Sequence, residues 1–139
     1  MPAKTVTIFG VFDGIHEGHL AFIKEAKALG DKLVAIVARD SEVEKIKGKP
    51  PVSNEVLRIN ALLKVEDIDQ VFLGDAEQGT YKIVQEVKPH VIFLGYDQQA
   101  LFDNLKDAIK KGVLPEIELI YGQAHKPEVF KSSIINSSK

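Results

Sequence analysis

The feature that most constrains this chain is the alternation of short, unbroken apolar runs with longer amphipathic stretches. Five runs read as strands: Thr5 to Phe9, Lys32 to Ala38, Gln70 to Leu73, Val91 to Leu94 and Ile117 to Tyr121. They are rich in β-branched and aromatic residues and show little polar alternation, so both faces of each strand are expected to be covered. Between them, apolar residues recur at helical spacing. Leu20, Ile23, Ala26 and Leu29 predict a helix from about Glu17 to Leu29, with Gly30 where a C-cap glycine belongs. Ser53 is the expected N-cap of a helix through Lys64 that carries Val56, Leu57, Ile59, Leu62 and Leu63. Further helices are expected over Thr80 to Val87, stopped by Pro89, and over Leu101 to Lys111, ended by Gly112. The charged stretch from Arg39 to Pro51 reads as a loop with room for one helical turn. A short terminal helix follows Ser132-Ser133.

Strands alternating with helices specify an α/β fold: a doubly wound, five-stranded parallel sheet in three layers, like a Rossmann fold. The 139 residues, with no repeat or internal linker, are expected to form one domain, 1–139. In such sheets ligands bind outside the carboxyl ends of the strands, at the switch point of strand order. The loops after strands one, two, four and five are therefore the ones to read for function.

Composition removes several classes. With no cysteine, the chain has no disulfide, no thiolate zinc site and no cysteine nucleophile. Lys plus Arg is 18 against 20 for Asp plus Glu, a net charge of −2, so no nucleic-acid partner is expected. No apolar run reaches the roughly 18 residues of a membrane span, so no membrane partner is expected. No signal peptide is visible at Met1, and a cytoplasmic location is the expectation. Only 2 of the 18 basic residues are arginine, so most positive charge sits on ammonium groups rather than planar forks.

The first strand-to-helix turn, Gly10 to His19, is the richest segment. Its glycines, at 10, 14 and 18, do not fit the dinucleotide fingerprint, and no P-loop pattern is present. In their place stands His16-Glu17-Gly18-His19 at a helix start. Backbone N–H groups and the positive dipole end favour an anion there, and two imidazoles add side-chain donors. Gly18 lets the backbone approach closely. A polyphosphate held by a helix N-terminus and two histidines is the leading reading. The plainer one makes His16 a capping or surface residue and packs His19 on the sheet. A zinc pair has only His90 and His125 left to complete it.

The run G-V-F-D-G-I-H-E-G-H, continuing as A-K-A-L-G-D-K-L-V-A-I-V-A-R-D, resembles the cytidylyltransferase-like nucleotidyltransferases, whose pattern is G-x-F-D-x-x-H-x-G-H. The segments V-A-R-D-S-E-V-E-K-I-K-G-K-P-P-V, F-L-G-Y-D-Q and L-P-E-I look closest to the archaeal-type FAD synthase branch. The resemblance implies transfer of a nucleotidyl group from an NTP to a phosphate monoester, with release of pyrophosphate. It favours AMP transfer from ATP to FMN. The alternatives are a cytidylyltransferase using CTP on glycerol 3-phosphate or another phosphate monoester, and a non-catalytic nucleotide- or flavin-binding module.

By the same resemblance, His16 and His19 bind the triphosphate and stabilise the transition state. Gly10, Val11, Phe12, Glu17 and Gly18 lie against the nucleotide. Lys45 and Lys47 are the favoured phosphate contacts after strand two, although such a charge run also reads as a solvated face. Asp97 matches the family's nucleotide-contacting position, or serves as an N-cap. Ser132 and Ser133 fit a helix start that touches phosphate. The family's signature arginine is missing here, and Lys126 and Lys131 are the cations left to replace it. Phe12, Tyr96, Phe102, Tyr121 and Phe130 are the aromatics from which a flat flavin slot would be built. A divalent cation, Mg²⁺ or Mn²⁺, is expected to accompany the NTP, held by phosphate oxygens with no protein metal site. Asp13 is either an outer contact to that cation or a brace for the turn. The resemblance, together with apolar helices on both faces, also implies a homodimer.

Overall fold

The computed structural model describes residues 4–75, 81–95 and 98–122. Five strands are present: β1 (Thr5–Gly10), β2 (Lys32–Val37), β3 (Gln70–Leu73), β4 (Val91–Leu94) and β5 (Glu118–Tyr121). All pairings are parallel, in the order β3-β2-β1-β4-β5. The helices are α1 (Glu17–Lys27), α2 (Asp40–Lys47), α3 (Glu55–Leu63), α4 (Lys82–Val87) and α5 (Gln99–Lys110). The doubly wound α/β sheet is thus as the strand pattern implies, with the switch of direction between β1 and β4. Among the described residues no helix is long and apolar enough to cross a membrane.

Successive strand residues face opposite layers. Val6, Ile8, Leu33, Ala35, Val37 and Phe93 pack with Ile23 and Ala26 of α1 and Leu62 of α3. On the other face Ile36, Ile92 and Leu94 pack with Val84 of α4 and Leu105 and Ala108 of α5. Thr7 breaks the apolar run at the centre of β1. It is fully buried, and among the described residues its hydroxyl has no hydrogen-bond partner. At the amino edge, Asp69 accepts from Lys27 Nζ and from the Leu33 amide, each at 2.8 Å. These bonds tie α1, β2 and the approach to β3 together.

Three local expectations need correction. Arg39 to Pro51 is not a plain loop: α2 makes two turns there, closed by Gly48 in the left-handed region at φ 76°. Its low hydrophobicity hides it from an apolar-period reading, because only one side rests on the protein. The N-cap of α3 is Asn54, whose Oδ1 accepts from the Leu57 amide at 2.9 Å, and not Ser53. Of the apolar residues read into α3, Leu62 is buried, but Val56, Leu57 and Leu63 are exposed, and the inward place at i−4 from Leu62 belongs to Arg58. Finally, Gly30 does not cap α1, which closes at Ala28 in the right-handed region. Gly30 is required by proximity instead: a Cβ there would come within 2.7 Å of the Lys4 carbonyl and of Val6 Cγ2.

Candidate active site

The β1 ladder with β2 runs to Gly10↔Val37, but its ladder with β4 stops at Ile8↔Phe93. A crevice therefore opens between the carboxyl ends of β1 and β4. Gln98 spans it. Its Oε1 accepts from the Gly95 amide at 2.8 Å, and its Nε2 donates to the Phe9 carbonyl at 3.0 Å.

The first turn leaves the carboxyl end of β1. Phe12 adopts φ 53°, a conformation that side-chain-bearing residues rarely take and that clusters at functional sites. Its ring is buried in the core and folds back over Gly10, where a Cβ would come within 2.8 Å of it. Gly10 is thus fixed by Phe12. The Phe12 ring is packed inside the protein rather than standing open as a flavin wall.

At the head of α1 the two histidines cap reciprocally. His16 is the N-cap, its Nδ1 accepting from the Gly18 amide at 3.0 Å, and His19 Nδ1 accepts from the His16 amide at 3.3 Å. Their ring centroids are 4.0 Å apart. A Cβ on Gly18 would lie 2.9 Å from His16 Cε1, so the space Gly18 leaves is filled first by the His16 ring. His16 is thus an exposed capping residue, as the plainer reading of the motif has it. An imidazole whose Nδ1 accepts carries its proton on Nε2. Capping therefore sets the tautomer of both rings and makes each Nε2 a donor, beside backbone N–H groups at a positive dipole end. That is the chemistry of an anion site. Glu17 lies exposed in the first turn of α1.

The turn is braced from behind. Asp13 accepts from the Val52 and Ser53 amides at 2.7 and 2.9 Å. Those two bonds, Ser53 foremost, hold its carboxyl below the ordinary value of 3.8. Asp13 thus braces the turn against the residues ahead of α3. Arg58, buried in α3, donates Nε to the Ser53 carbonyl at 3.0 Å, an η nitrogen to the Val11 carbonyl at 2.8 Å, and the other to Asp40 Oδ1 at 2.6 Å. Glu55 then accepts from the Asp40 amide at 2.8 Å. One fork thus joins the first turn, the head of α2 and the approach to α3. Sequence reasoning missed Arg58 and Gln98. For Arg58 a signal existed: a lone arginine among the apolar residues of α3.

Of the residues expected at the site, Gly10, Val11, Phe12, His16, Glu17, Gly18 and His19 gather at this turn. Lys47, in the last turn of α2, lies close enough to Asp13 to help lower its pKa. Lys45 is exposed and pairs with Glu42 at 3.5 Å. Tyr121, at the end of β5, stacks on Phe102 with centroids 4.5 Å apart. Tyr96, Asp97, His125, Lys126, Phe130, Lys131, Ser132 and Ser133 lie outside the described residues. His90 is on the opposite edge, where its Nδ1 accepts from the Thr5 amide at 3.0 Å. Among the described residues no cluster of three His, Asp or Glu side chains is disposed to hold a metal ion.

The family described as Cytidylyltransferase-like matches residues 7–136. The chain belongs to the cytidylyltransferase-like family. It is a nucleotidyltransferase, and similar proteins narrow the branch. It is 38% identical over 126 residues to the FAD synthase of Thermococcus sibiricus, covering 91% of this chain and 85% of that one. It is 36% identical over 134 residues to the FAD synthase of Pyrococcus abyssi, covering 96% and 87%. Among solved structures, the lipopolysaccharide core biosynthesis protein from Thermoplasma volcanium superposes with a TM-score of 0.80 at 35% identity. That match covers 90% of this chain and all of the other. In this chain the histidine turn opens α1 at the carboxyl end of β1.

Proposed function

We propose that this chain transfers AMP from ATP to FMN, giving FAD and pyrophosphate, within the one domain 1–139. The observation that carries the reading is likeness over nearly the whole chain to proteins named FAD synthase, joined to a reciprocally capped histidine pair aimed at anion binding. An oxygen of the FMN phosphate forms the new bond to the α-phosphorus. The α–β bond breaks, and pyrophosphate leaves with the electron pair. The acceptor phosphate, with a second pKa of about 6, is mostly dianionic at neutral pH, so no general base is required. What the protein must supply is position and charge neutralisation.

In this reading His16 and His19 donate Nε2–H to the triphosphate and its transition state, supported by Lys47 and Lys45. Gly10, Val11, Phe12, Glu17 and Gly18 form the wall around the nucleotide through their backbone. Asp97, Ser132 and Ser133 complete it, and Lys126 or Lys131 takes the place of the family's arginine. A divalent cation, Mg²⁺ or Mn²⁺, neutralises triphosphate charge when bound. In this reading that ion is held on phosphate oxygens. The reaction belongs in the cytoplasm, and the working unit is a homodimer.

The test is a pyrophosphate-release assay with ATP and CTP, each against FMN, glycerol 3-phosphate and phosphopantetheine. Release with ATP plus FMN alone, abolished by excess EDTA, is the expected result. Turnover only with CTP and glycerol 3-phosphate would replace this reading.

A further inference from the structure

The chain's two arginines both stand at the carboxyl edge of the sheet. Arg58 commits all three guanidinium nitrogens to the protein itself. Arg39 does not. It follows β2 by two residues, and its Nε donates to the Gly74 carbonyl at 2.7 Å. Among the described residues its two η nitrogens have neither a hydrogen bond nor an ion pair. The next residue, Asp40, turns its carboxylate to Arg58 instead.

The register sets Arg39 level with the start of the turn that leaves β1. Gly10 pairs with Val37, its carbonyl accepts from the Ala38 amide at 3.0 Å, and the Gly74 amide donates to the Val37 carbonyl at 2.8 Å. Arg39 therefore stands beside the first turn, with its head anchored toward β3, on the side away from β4. A guanidinium is always charged and planar. Anchored through Nε to a fixed carbonyl, it keeps its η nitrogens for a pair of phosphate oxygens.

We propose that Arg39 binds the phosphate monoester of the acceptor, and so belongs to the FMN side of the site rather than the ATP side. This rests on FMN being the acceptor. The reacting dianion must sit against a triphosphate of the same sign, and the histidine turn is occupied by that triphosphate. A second cation one strand away neutralises the incoming dianion and, gripping two of its oxygens, leaves the third toward the α-phosphorus. Arg39 supplies no proton.

The experiment compares equilibrium binding of FMN and of riboflavin, which lacks the phosphate, by flavin fluorescence. It uses the wild type, Arg39→Gln and Arg39→Lys, with unfolding midpoints and the KM for ATP measured alongside. The wild type is expected to prefer FMN. Arg39→Gln should lose about 10- to 100-fold in FMN affinity, the range for a charge-assisted hydrogen-bonded pair, with riboflavin binding and the KM for ATP unchanged. Arg39→Lys should fall between, since it restores the charge without the fork. An equal loss for both flavins, or a rise in the KM for ATP with FMN binding intact, overturns the assignment. The equal loss is also what a mere clamp between β2 and β3 would give, together with a lowered midpoint. A wild type that neither binds nor adenylates FMN overturns the function reading itself, before any variant is compared, and takes this inference with it.

Discussion

The cap that His16 makes and the phosphate contact proposed for it are separable, and one substitution tells them apart. His16→Ala removes the cap of α1, at a cost of about 1 kcal/mol, together with the Nε2 donor. His16→Asn returns a capping acceptor without that donor. Both variants should lose at least about a hundredfold in kcat, as for removal of one transition-state charge contact, while the asparagine variant regains most of the lost unfolding temperature. His19→Ala should lose turnover on the same scale, and His90→Ala, at the far edge, should not. Near wild-type turnover in folded His16→Ala would remove the phosphate role of the turn. Thr7 offers an opposite case. Its hydroxyl is buried without a partner among the described residues, so Thr7→Val should stabilise by about 1 kcal/mol, read as a raised midpoint in thermal or urea unfolding. At this scale the place of the histidines was legible, because the glycine-bearing turn after β1 had to lead into α1. Gln98 was not, because an amide that reaches a carbonyl 89 residues earlier in the chain has no local pattern.

The strands were read almost to the residue, since a buried parallel strand must be apolar on both faces and declares itself by composition. The helices were less legible where tertiary contacts override periodicity. α2 is polar nearly all round, and α3 buries a charge where the apolar pattern predicts an aliphatic face. Two carboxylates tie loops and helices to the sheet, and their part is open to a pH test. Asp13 is held below its ordinary value by the Ser53 and Val52 amides, and Asp69 first by Lys27 and then by the Leu33 amide. For a depressed carboxylate, the stabilisation is complete above the unfolded-state pKa and is lost as pH falls through the folded one. The contribution of these two carboxylates should therefore be complete from neutrality down to about pH 5 and decline below about pH 4. Asp13→Asn and Asp69→Asn should each be less stable at pH 7 and show a shallower acid decline in urea midpoints measured across that range. An unchanged acid limb in both variants would place the titrating groups elsewhere.

For the whole molecule, the homodimer is the first matter to measure. Val52, Val56, Leu57 and Leu63 leave an apolar strip in and ahead of α3, more than a monomer usually shows along one short segment. Sedimentation at tens of micromolar should give a dimer, and Val56→Lys should dissociate it without lowering helix content. A monomeric wild type would end that expectation. The strand order has another effect, on the way the chain is made. β1 emerges first but occupies the middle of the sheet, and its second neighbour begins 85 residues later, at Val91 opposite Val6. A nascent chain that has completed β2 and β3 therefore carries an open, apolar strand edge until β4 leaves the ribosome. That is the kind of edge on which chains join one another. Released fragments ending before β4 should aggregate, whereas chains extended past β5 should not.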